Sequence, residues 1–479
     1  MIFVTAQTDV STLNDWLPVS KDRIKDRSIL VVGMARSGVA AARLLTHAGG
    51  RVFVSEVKPE DALREATARL RGDGIRYETG GHTPGAIEGV DFVVTSPGVP
   101  ESNLLLSLAR ERSLPVFSEL EVASWLAPAP ILAVTGSNGK TTTTSWLGSI
   151  YEHARRPAQV GGNIGRAFAE FADRLTGEER AILEVSTFQL ERIEEFRPHV
   201  GALLNLSPDH LDRHGTYEEY IRLKFRLFEN QTVADTAVLN ADDPLVVKWD
   251  REKPSGKARR WWFSARGPVR AGVWLDGAVL SWSDGKRSGT IPGSDRLIPP
   301  GTHNRMNAAA AVAMALADGL SPHEIEPGLT AFRGVEHRIE HVAEVRGVTY
   351  INDSKATNPD AVEKALQALD RPLVVILGGL DKNSDFTVLA PLLKERARAL
   401  IFTGKAAPKL EVELGSQLPY RTADKFADAF DAAVEIAEPG DIVLLSPACA
   451  SFDQFDNYEH RGRVFKSLVA ALAERNTAS

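Results

Sequence analysis

The sequence predicts an α/β protein of three domains, each built around a mainly parallel sheet. Its 479 residues exceed what one hydrophobic core usually holds, and the soft expectation of roughly 150 residues per domain suggests three. Short apolar runs of strand length alternate with helical patterns, which is typical of parallel sheets with sites at the carboxyl ends of their strands. The boundaries that we expect are 1–120, 121–335 and 336–479.

Composition and charge exclude several classes of protein. The 56 basic and 63 acidic residues give a net charge of −7, which argues against a nucleic-acid partner. The single cysteine, Cys449, excludes an intrachain disulfide and fits a reducing compartment, and its surroundings favour a packed thiol over a nucleophile. Because we find neither a membrane-length apolar run nor a signal-peptide core, we expect a cytoplasmic protein without membrane insertion. We also expect a monomer.

The first domain has a Rossmann-like pattern. A predicted buried strand, Ser28–Gly33, leads into Gly33–Gly38, a near match to G-x-G-x-x-G that has Ala35 at the second glycine. A second predicted strand, Arg51–Ser55, precedes Glu56, where a dinucleotide-binding domain keeps its ribose-binding acid. NAD is the obvious candidate ligand, but the Ala35 methyl group would crowd a pyrophosphate that approaches the backbone.

The most informative segment is Ile131–Thr142, in which an apolar run breaks into a glycine-rich turn and Lys-Thr-Thr opens a helical pattern. A strand, a loop and a helix N-terminus in this order form a phosphate-binding site. Lys140 is placed to neutralise β/γ-phosphate charge, and the Thr141 hydroxyl to ligate Mg²⁺. The common P-loop spacing fails, because it would place a glycine at Val134.

Two polar residues in the second domain are candidate metal ligands. Glu184 lies in an otherwise buried strand pattern, where a carboxylate is costly unless it is paired or bound to a metal. His210 follows the next predicted strand, Gly201–Leu206. A frayed strand end and ordinary polar surface are the simpler explanations, but with Thr141 these residues would suit Mg²⁺. Asp276-Gly277 predicts a hairpin in a small antiparallel addition.

A lysine also occupies the apolar face of a predicted helix over Tyr217–Phe228. Tyr217, Tyr220, Ile221 and the two phenylalanines follow helical spacing, and Lys224 falls on the same face. The sequence leaves open whether Lys224 extends its amine to solvent or is buried for a function.

The third domain has three polar loops, each placed after a predicted strand. These loops are Ile351–Pro359, Gly378–Lys382 and Ser446–Phe455. Because parallel strands end at the same edge of a sheet, the three loops are expected to converge on a pocket.

The loop Thr-Gly-Ser-Asn-Gly-Lys-Thr-Thr resembles that of the Mur ligase and folylpolyglutamate synthetase superfamily, whose members join an amino acid to a carboxylate while hydrolysing ATP. Asn352–Asn358 and Ser446–Phe455 resemble signatures of the Mur ligases that add D-glutamate. The Asp-Asn-Pro-Arg motif expected of diaminopimelate-adding relatives is absent. The resemblance spans all three domains.

The resemblance implies a role for each matching residue. Those similar to ATP contacts are Gly136, Ser137, Asn138, Gly139, Lys140, Thr141, Thr142, Asn304, Asn307, Arg338, Asp353 and Lys355. Those similar to substrate contacts are Asn163, Thr357, Lys382 and Ser451, with Gly33, Gly38 and Glu56 near a UDP group. The implied metal ligands are Thr141, Glu184, His210 and Lys224, the last carried as a carbamate. Lys140, His210 and Lys224 are expected to be catalytic, and Tyr458 stands where a phenylalanine is expected.

The implied activity is an ATP- and Mg²⁺-dependent amide ligase of peptidoglycan precursor synthesis. It would add D-glutamate to UDP-N-acetylmuramoyl-L-alanine through an acyl phosphate. The nearest alternative is another amide ligase of the superfamily, including folylpolyglutamate synthetase, against which the Rossmann-like first domain argues. A non-catalytic nucleotide-binding module or an NAD oxidoreductase would leave the polar loops of the third domain unexplained.

Overall fold

A computed structural model describes residues 21–208, 211–299, 301–381, 384–416 and 418–477. The chain forms two compact units: one ends at Phe332, and the other begins at Arg333 and takes in the short stretch Ile298–Gly301. The first unit contains two sheets and the second contains one, so the predicted α/β class with three sheets is confirmed. The three domain boundaries remain a prediction.

The first sheet is entirely parallel. Its strands are β1 (Ser28–Val32), β2 (Arg51–Ser55), β3 (Arg76–Glu78), β4 (Phe92–Thr95) and β5 (Val116–Ser118). Its helices are α1 (Arg36–His47), α2 (Arg64–Gly72), α3 (Leu104–Glu111) and α4 (Glu119–Ser124). The order β3-β2-β1-β4-β5 reverses direction between β1 and β4, and open α/β sheets bind ligands at such a switch point.

The second sheet has nine strands. They are β6 (Ile131–Thr135), β7 (Ala158–Gly162), β8 (Arg180–Glu184), β9 (Val200–Leu203), β10 (Thr236–Asn240), β11 (Arg259–Ser264), β12 (Gly272–Asp276), β13 (Val279–Ser283) and β14 (Ser288–Thr290). Their order is β14-β13-β12-β11-β10-β9-β6-β8-β7, and only β12-β13-β14 pair antiparallel. This is the predicted antiparallel addition, and its hairpin turns at Gly277 with φ +61°.

The helices of this region cover the second sheet. They are α5 (Lys140–His153), α6 (Thr187–Leu190), α7 (Leu211–His214), α8 (Tyr217–Phe225), α9 (Pro244–Glu252), α10 (Thr302–Ala317) and α11 (Pro322–Ala331). The predicted helix over Tyr217–Phe228 tightens to a 3-10 turn after Phe225. At this end of the helix the Arg226 guanidinium donates to the carbonyls of Leu190, Glu191 and Ile193.

The third sheet has six strands. They are β15 (Glu340–Val345), β16 (Val348–Asn352), β17 (Leu373–Gly378), β18 (Ala397–Thr403), β19 (Tyr420–Ala423) and β20 (Ile442–Ala448). Its helices are α12 (Pro359–Ala368), α13 (Ala390–Arg396), α14 (Ala407–Leu414), α15 (Phe426–Ile436) and α16 (Tyr458–Thr477). The order is β15-β16-β20-β17-β18-β19, parallel except for the β15-β16 hairpin.

None of the helices in the described ranges is long and apolar enough to cross a membrane.

Two buried carboxylates on α4 differ in their hydrogen bonding. Glu121 is fully buried and accepts bonds from the backbone N–H groups of Glu194, Glu195 and Phe196 and from the Trp125 indole. Glu119 is 1% exposed and accepts from Ala169 N at 2.6 Å, while its Oε2 has no partner within the described part of the chain. Burial, against the lowering effects of the Ala169 N–H, Gln189 and Arg36, raises the pKa of Glu119 to about 7.

We expect Glu119→Gln to raise the stability of the protein at alkaline pH. The folded-state pKa of about 7 lies above the ordinary value of 4.5. The favourable contribution of neutral Glu119 is therefore complete below pH 4.5 and lost as the pH rises through 7. Urea unfolding should show Glu119→Gln equal to wild type near pH 4.5 and more stable at pH 8, by at most about 3 kcal/mol.

Glu121→Gln is the matched control for this prediction. Its carboxylate accepts four hydrogen bonds, and an amide replaces one accepting oxygen by a donor, so this variant should lose stability at alkaline pH. A difference between wild type and Glu119→Gln that stays constant from pH 4.5 to 8 would contradict the protonation of Glu119 in the folded state.

Candidate functional site

The phosphate-loop segment forms the predicted strand, turn and helix. All five residues of β6 are buried, and α5 begins at Lys140 directly after the turn. Gly136 and Gly139 have φ values of +150° and +83°, which favour glycine. A Cβ on Gly139 would also lie 2.3 Å from Asn307 Oδ1, so α10 packs directly against the turn. The geometry leaves the N-terminus of a 14-residue helix beside a glycine turn, as anion binding requires.

Two lysines from distant parts of the sequence converge on one carbonyl of this loop. Lys140 Nζ donates to Gly136 O at 2.9 Å and to Ser137 O at 2.8 Å. Lys224 Nζ donates to the same Gly136 O at 2.9 Å. Lys224 is only 2% exposed. Of the two alternatives that the sequence left open, the structure therefore shows a buried lysine rather than one that extends its amine to solvent. The Lys140 side chain and the positive end of α5 make this loop suitable for an anion.

Tyr220 connects the helix of Lys224 to the phosphate loop. Its hydroxyl lies 2.8 Å from Ser137 Oγ, and its ring centroid lies 4.6 Å from Lys224 Nζ. Ser137 Oγ also accepts from Ser207 N at 2.9 Å. The helical periodicity identified Tyr220 only as part of the apolar face, and no local signal could have revealed its hydroxyl contact with Ser137.

The end of β9 supports the same loop. Asn205 Oδ1 accepts from Asn138 N at 2.8 Å, and Asn205 Nδ2 donates to Asn138 O at 3.1 Å. Ser137 N donates to Asn205 O at 3.0 Å. Asn205 therefore shapes the turn from outside it, a role that the sequence analysis missed.

Glu184 lies at the end of β8 and is 3% exposed. Thr141 Oγ1 donates to Glu184 Oε2 at 2.8 Å, and Asn163 Nδ2 donates to Oε1 at 2.9 Å. The structure thus brings Thr141 and Glu184 into contact and places Asn163 on the same carboxylate. Their roles in binding a metal and a substrate remain predictions. His210 lies outside the described residues.

These oxygen donors fit a small hard cation. Mg²⁺ is usually held by one or two carboxylates together with phosphate oxygens and water. The Thr141 hydroxyl and the Glu184 carboxylate lie in contact beside the phosphate loop, which is such a partial set. Within the described ranges, no group of three or more His, Cys, Asp or Glu side chains is arranged to hold a metal ion by itself.

Asn304 and Asn307 lie one turn apart on α10. Asn307 is 9% exposed and touches the Gly139 position, so one of the two predicted nucleotide contacts reaches the phosphate loop directly. Both asparagines are helical, because α10 begins at Thr302.

At the switch point of the first sheet, the backbone geometry explains why Gly33 and Gly38 are glycines. Gly33 has φ +97°, and a Cβ there would lie 2.9 Å from Ser96 Cβ. A Cβ on Gly38 would lie 2.0 Å from Gly33 O, so α1 packs closely on the loop. Glu56 accepts from Met34 N at 2.7 Å and from Lys58 N at 3.0 Å. Its carboxylate thus holds the loop, and contact of Gly33, Gly38 and Glu56 with UDP remains a prediction.

In the second unit, Asp353 is a buried carboxyl at the end of β16. Ser446 Oγ donates to its Oδ2 at 2.7 Å, and Ile339 N donates to its Oδ1 at 3.2 Å. Burial, against the lowering effects of Ser446, Ile339 N–H and Arg338, raises the pKa of Asp353 to about 7. Asp353 thereby ties two of the predicted loops together and sits next to the exposed Arg338 segment.

The other predicted residues of this unit lie on the same three loops. Lys355 Nζ is 5.8 Å from the ring centroid of Tyr458, Thr357 is half-buried and Ser451 is 2% exposed. Lys382 lies outside the described residues. Ala448 has φ +61° at the end of β20, an unusual conformation for a residue other than glycine and one that occurs often at functional loops.

Cys449 is a packed thiol, as predicted. It is 1% exposed, and burial together with Asp381 raises its pKa to about 12. The thiolate that would be needed for nucleophilic chemistry is therefore suppressed at neutral pH.

Comparisons with known proteins agree with this arrangement. Residues 134–315 match the Mur ligase middle domain, and residues 337–449 match the Mur ligase, glutamate ligase domain. The chain is 44% identical over 454 residues to the UDP-N-acetylmuramoylalanine--D-glutamate ligase of Koribacter versatilis (strain Ellin345), covering 94% of this chain and 99% of that protein. It is 42% identical over 464 residues to the protein of the same name from Salinibacter ruber, covering 95% of this chain and 100% of that protein.

Solved structures share the fold at lower identity. UDP-N-acetylmuramate-alanine ligase MurC from Thermotoga maritima has a TM-score of 0.57 and 21% identity, covering 93% of this chain and 99% of that one. MurF from Acinetobacter baumannii has a TM-score of 0.56 and 19% identity, covering 95% of this chain and 93% of that one. With two matching domain families and end-to-end identity above 40%, the chain belongs to the Mur ligase family, among the UDP-N-acetylmuramoylalanine--D-glutamate ligases.

Proposed function

We propose that the protein joins D-glutamate to UDP-N-acetylmuramoyl-L-alanine in peptidoglycan precursor synthesis, with conversion of ATP to ADP and phosphate. The observation that carries the proposal is the 44% identity over 94% of the chain to a ligase of that name. The loop around Lys140, with Thr141 and Glu184 in contact beside it, is independent support, because it suits a nucleotide phosphate and a cation.

In the proposed reaction an alanyl carboxylate oxygen attacks the γ-phosphorus of ATP, and the bond from that phosphorus to the bridging oxygen of ADP breaks. The amine of D-glutamate then adds to the carbonyl carbon of the acyl phosphate, and the tetrahedral intermediate expels phosphate as the nitrogen loses a proton. Both anions in the first step repel each other, so cationic groups must offset their charge. Lys140 at the helix N-terminus supplies one such group.

The nucleotide contacts that we propose in the first unit are Gly136 to Thr142, Asn304 and Asn307. Backbone N–H groups at the start of α5 would hold phosphate oxygens, since the first turn of a helix has donors without intrahelical partners. Lys140 now donates to two carbonyls of its own loop. A bound phosphate would attract the ammonium away from these neutral acceptors, because a charge-assisted bond is stronger.

Thr141, Glu184, His210 and a carbamate on Lys224 would hold Mg²⁺ in this proposal. Bound there, the ion would neutralise phosphate charge and polarise the phosphorus being transferred. Glu184 accepts one hydrogen bond at each oxygen, from Thr141 and Asn163, which orients its carboxylate and leaves lone pairs for a cation.

In the second unit, Arg338, Asp353 and Lys355 would contact the nucleotide, and Thr357, Lys382 and Ser451 would contact D-glutamate. Asp353 and Ser446 hold the base of these loops in place. Cytoplasmic location and a monomeric state also remain proposals.

We expect release of ADP only when ATP, UDP-N-acetylmuramoyl-L-alanine and D-glutamate are all present. The amino-acid panel should include L-glutamate, meso-diaminopimelate and L-alanine, with D-glutamate preferred by at least about a hundredfold, because a site with polar contacts rejects a partner that leaves them unpaired. Coupled ADP release measures this directly, and absorbance after mixing with NAD(H) should not change.

Equal use of both glutamate enantiomers would overturn the D-glutamate assignment. Turnover with a folate and L-glutamate would favour folylpolyglutamate synthetase, the nearest alternative within the superfamily.

A further inference from the structure

Arg461, in the first turn of α16, is a buried cation whose role no sequence motif indicated. Arg461 is only 2% exposed, and burial lowers the pKa of its guanidinium to about 10. Within the described ranges no carboxylate forms an ion pair with it, and Asp453 contributes only a longer-range attraction. An isolated buried guanidinium is costly unless hydrogen bonds replace its water.

The guanidinium makes these bonds to three separate loops. Its Nε donates to Ser354 Oγ at 3.0 Å, and Nη2 donates to Ser354 O at 2.9 Å. Nη2 also donates to Cys449 O at 3.1 Å, and Nη1 donates to Gly378 O at 3.4 Å. Ser354 follows β16, Cys449 follows β20 and Gly378 ends β17. One side chain therefore holds the carboxyl ends of three neighbouring strands.

Only arginine can make this set of bonds. Its planar fork carries five N–H donors in fixed directions, whereas lysine carries three donors on one atom. The fit is close, since a Cβ on Gly379 would lie 3.1 Å from Nη1. A neighbouring cavity, whose lining includes Gly378, Asp453 and Arg461, has a volume of about 10 Å³, which is room for about one water. The hydrogen bonds of the Arg461 guanidinium thus go to protein oxygens.

The three loops are those on which the D-glutamate site was proposed. Ser354 is followed by Lys355 and Thr357, Cys449 by Ser451, and Gly378 by Lys382. We propose that Arg461 is a positioning residue, which sets the spacing of the three loops and thereby the affinity and enantiomer preference for the incoming amino acid. The proposal rests on the proposed function of these loops. A misplacement of about 1 Å in groups that orient a substrate can cost roughly a hundredfold in rate.

The first experiment tests, without any substrate, whether Arg461 holds the three loops together. In Arg461→Lys we expect hydrogen–deuterium exchange to rise at least tenfold in peptides that cover Ser354, Gly378 and Cys449, with strand centres such as Val375 unchanged. Arg463→Ala, an exposed arginine two residues away, is the matched control and should exchange like wild type. Exchange that is unchanged at the loops, or raised equally throughout the unit, would overturn the proposal that Arg461 holds the three loops together.

The second experiment tests its consequence for substrate. We expect Arg461→Lys to raise the KM for D-glutamate at least tenfold, to lower the ratio of D- to L-glutamate turnover, and to leave the KM for UDP-N-acetylmuramoyl-L-alanine within twofold. Ser354→Ala, which removes one acceptor of the guanidinium, should move the D-glutamate KM in the same direction by less. This milder variant keeps the test decisive if Arg461→Lys folds poorly.

A fall in kcat or thermal stability with an unchanged D-glutamate KM would mean a purely structural role and would overturn the proposal. Failure of the proposed function is distinguishable, because wild type would then not release ADP with D-glutamate, while the exchange experiment still decides whether Arg461 holds the loops.

Discussion

Lys140→Ala is expected to lower the rate of ADP release by roughly 10²–10³-fold, the usual cost of losing a group that stabilises transition-state charge. Its ammonium lies at the start of α5 and now donates to Gly136 O and Ser137 O. Lys224 also donates to Gly136 O, but it is buried and belongs to α8 rather than to the N-terminus of α5. Initial rates at saturating ATP measure the effect.

The fold should survive this change. Lys140 is half-buried and contributes two hydrogen bonds to its own loop, whereas the strand before it is packed by apolar side chains. Loss of about 1–2 kcal/mol shifts the melting temperature of a domain of this size by only a few degrees. Lys248→Ala, an exposed lysine on α9, serves as the control. Retention of more than about a tenth of the wild-type rate would contradict the role of Lys140.

The phosphate loop could be predicted from the sequence because all its determinants are local. A buried strand, two glycines with left-handed φ and a helix start follow one another within a dozen residues, and each has a recognisable residue type. The metal-site candidates Thr141 and Glu184 could also be paired in advance, because parallel strands bring their carboxyl ends to one edge.

Long-range partners could not be predicted in this way. Helical periodicity shows which face of α8 is apolar, but not that Tyr220 meets Ser137, 83 positions earlier. The same applies to Arg461 and Ser354, which are 107 positions apart. Charged residues near a C-terminus are ordinarily solvent-exposed, and only the packing of α16 against three strand ends reveals that this one is buried.

The two edge strands of the third sheet are hard to predict for a different reason. β19 has three exposed residues of four, and β15 is an edge strand with two glutamates and a histidine. Neither strand is covered on both faces, so neither has the continuous apolar run by which buried parallel strands are recognised. Helix α13 begins at Ala390, with Pro391 in its first turn, a position that proline favours.

The second large effect concerns Lys224, a residue only 2% exposed whose Nζ donates to Gly136 O and lies 4.6 Å from the centroid of the Tyr220 ring. Burial disfavours a charged amine, and two cations share the Gly136 carbonyl, which disfavours it further. A neutral amine can add CO₂: the nitrogen lone pair bonds to carbon, a proton leaves the nitrogen, and a carbamate anion results. The remaining N–H can still donate to Gly136 O. This anion would suit Mg²⁺ beside Glu184.

We therefore expect Lys224→Ala to lose activity by about a hundredfold or more, the scale of losing a group that holds transition-state charge. Formate or acetate should partly restore it, because a small carboxylate can enter the vacated space and replace the carbamate oxygens. ADP-release rates should rise in a saturable way with acetate and not with chloride at the same ionic strength. Lys253→Ala is the control, since that lysine also lies over an aromatic ring, Trp249 at 4.4 Å, but is exposed.

In wild type, isotope-labelled bicarbonate should give a carbamate carbonyl resonance that is absent in Lys224→Ala. Full activity of Lys224→Ala in CO₂-depleted buffer would rule the carbamate out, because neither the anion nor a substitute for it could then be present.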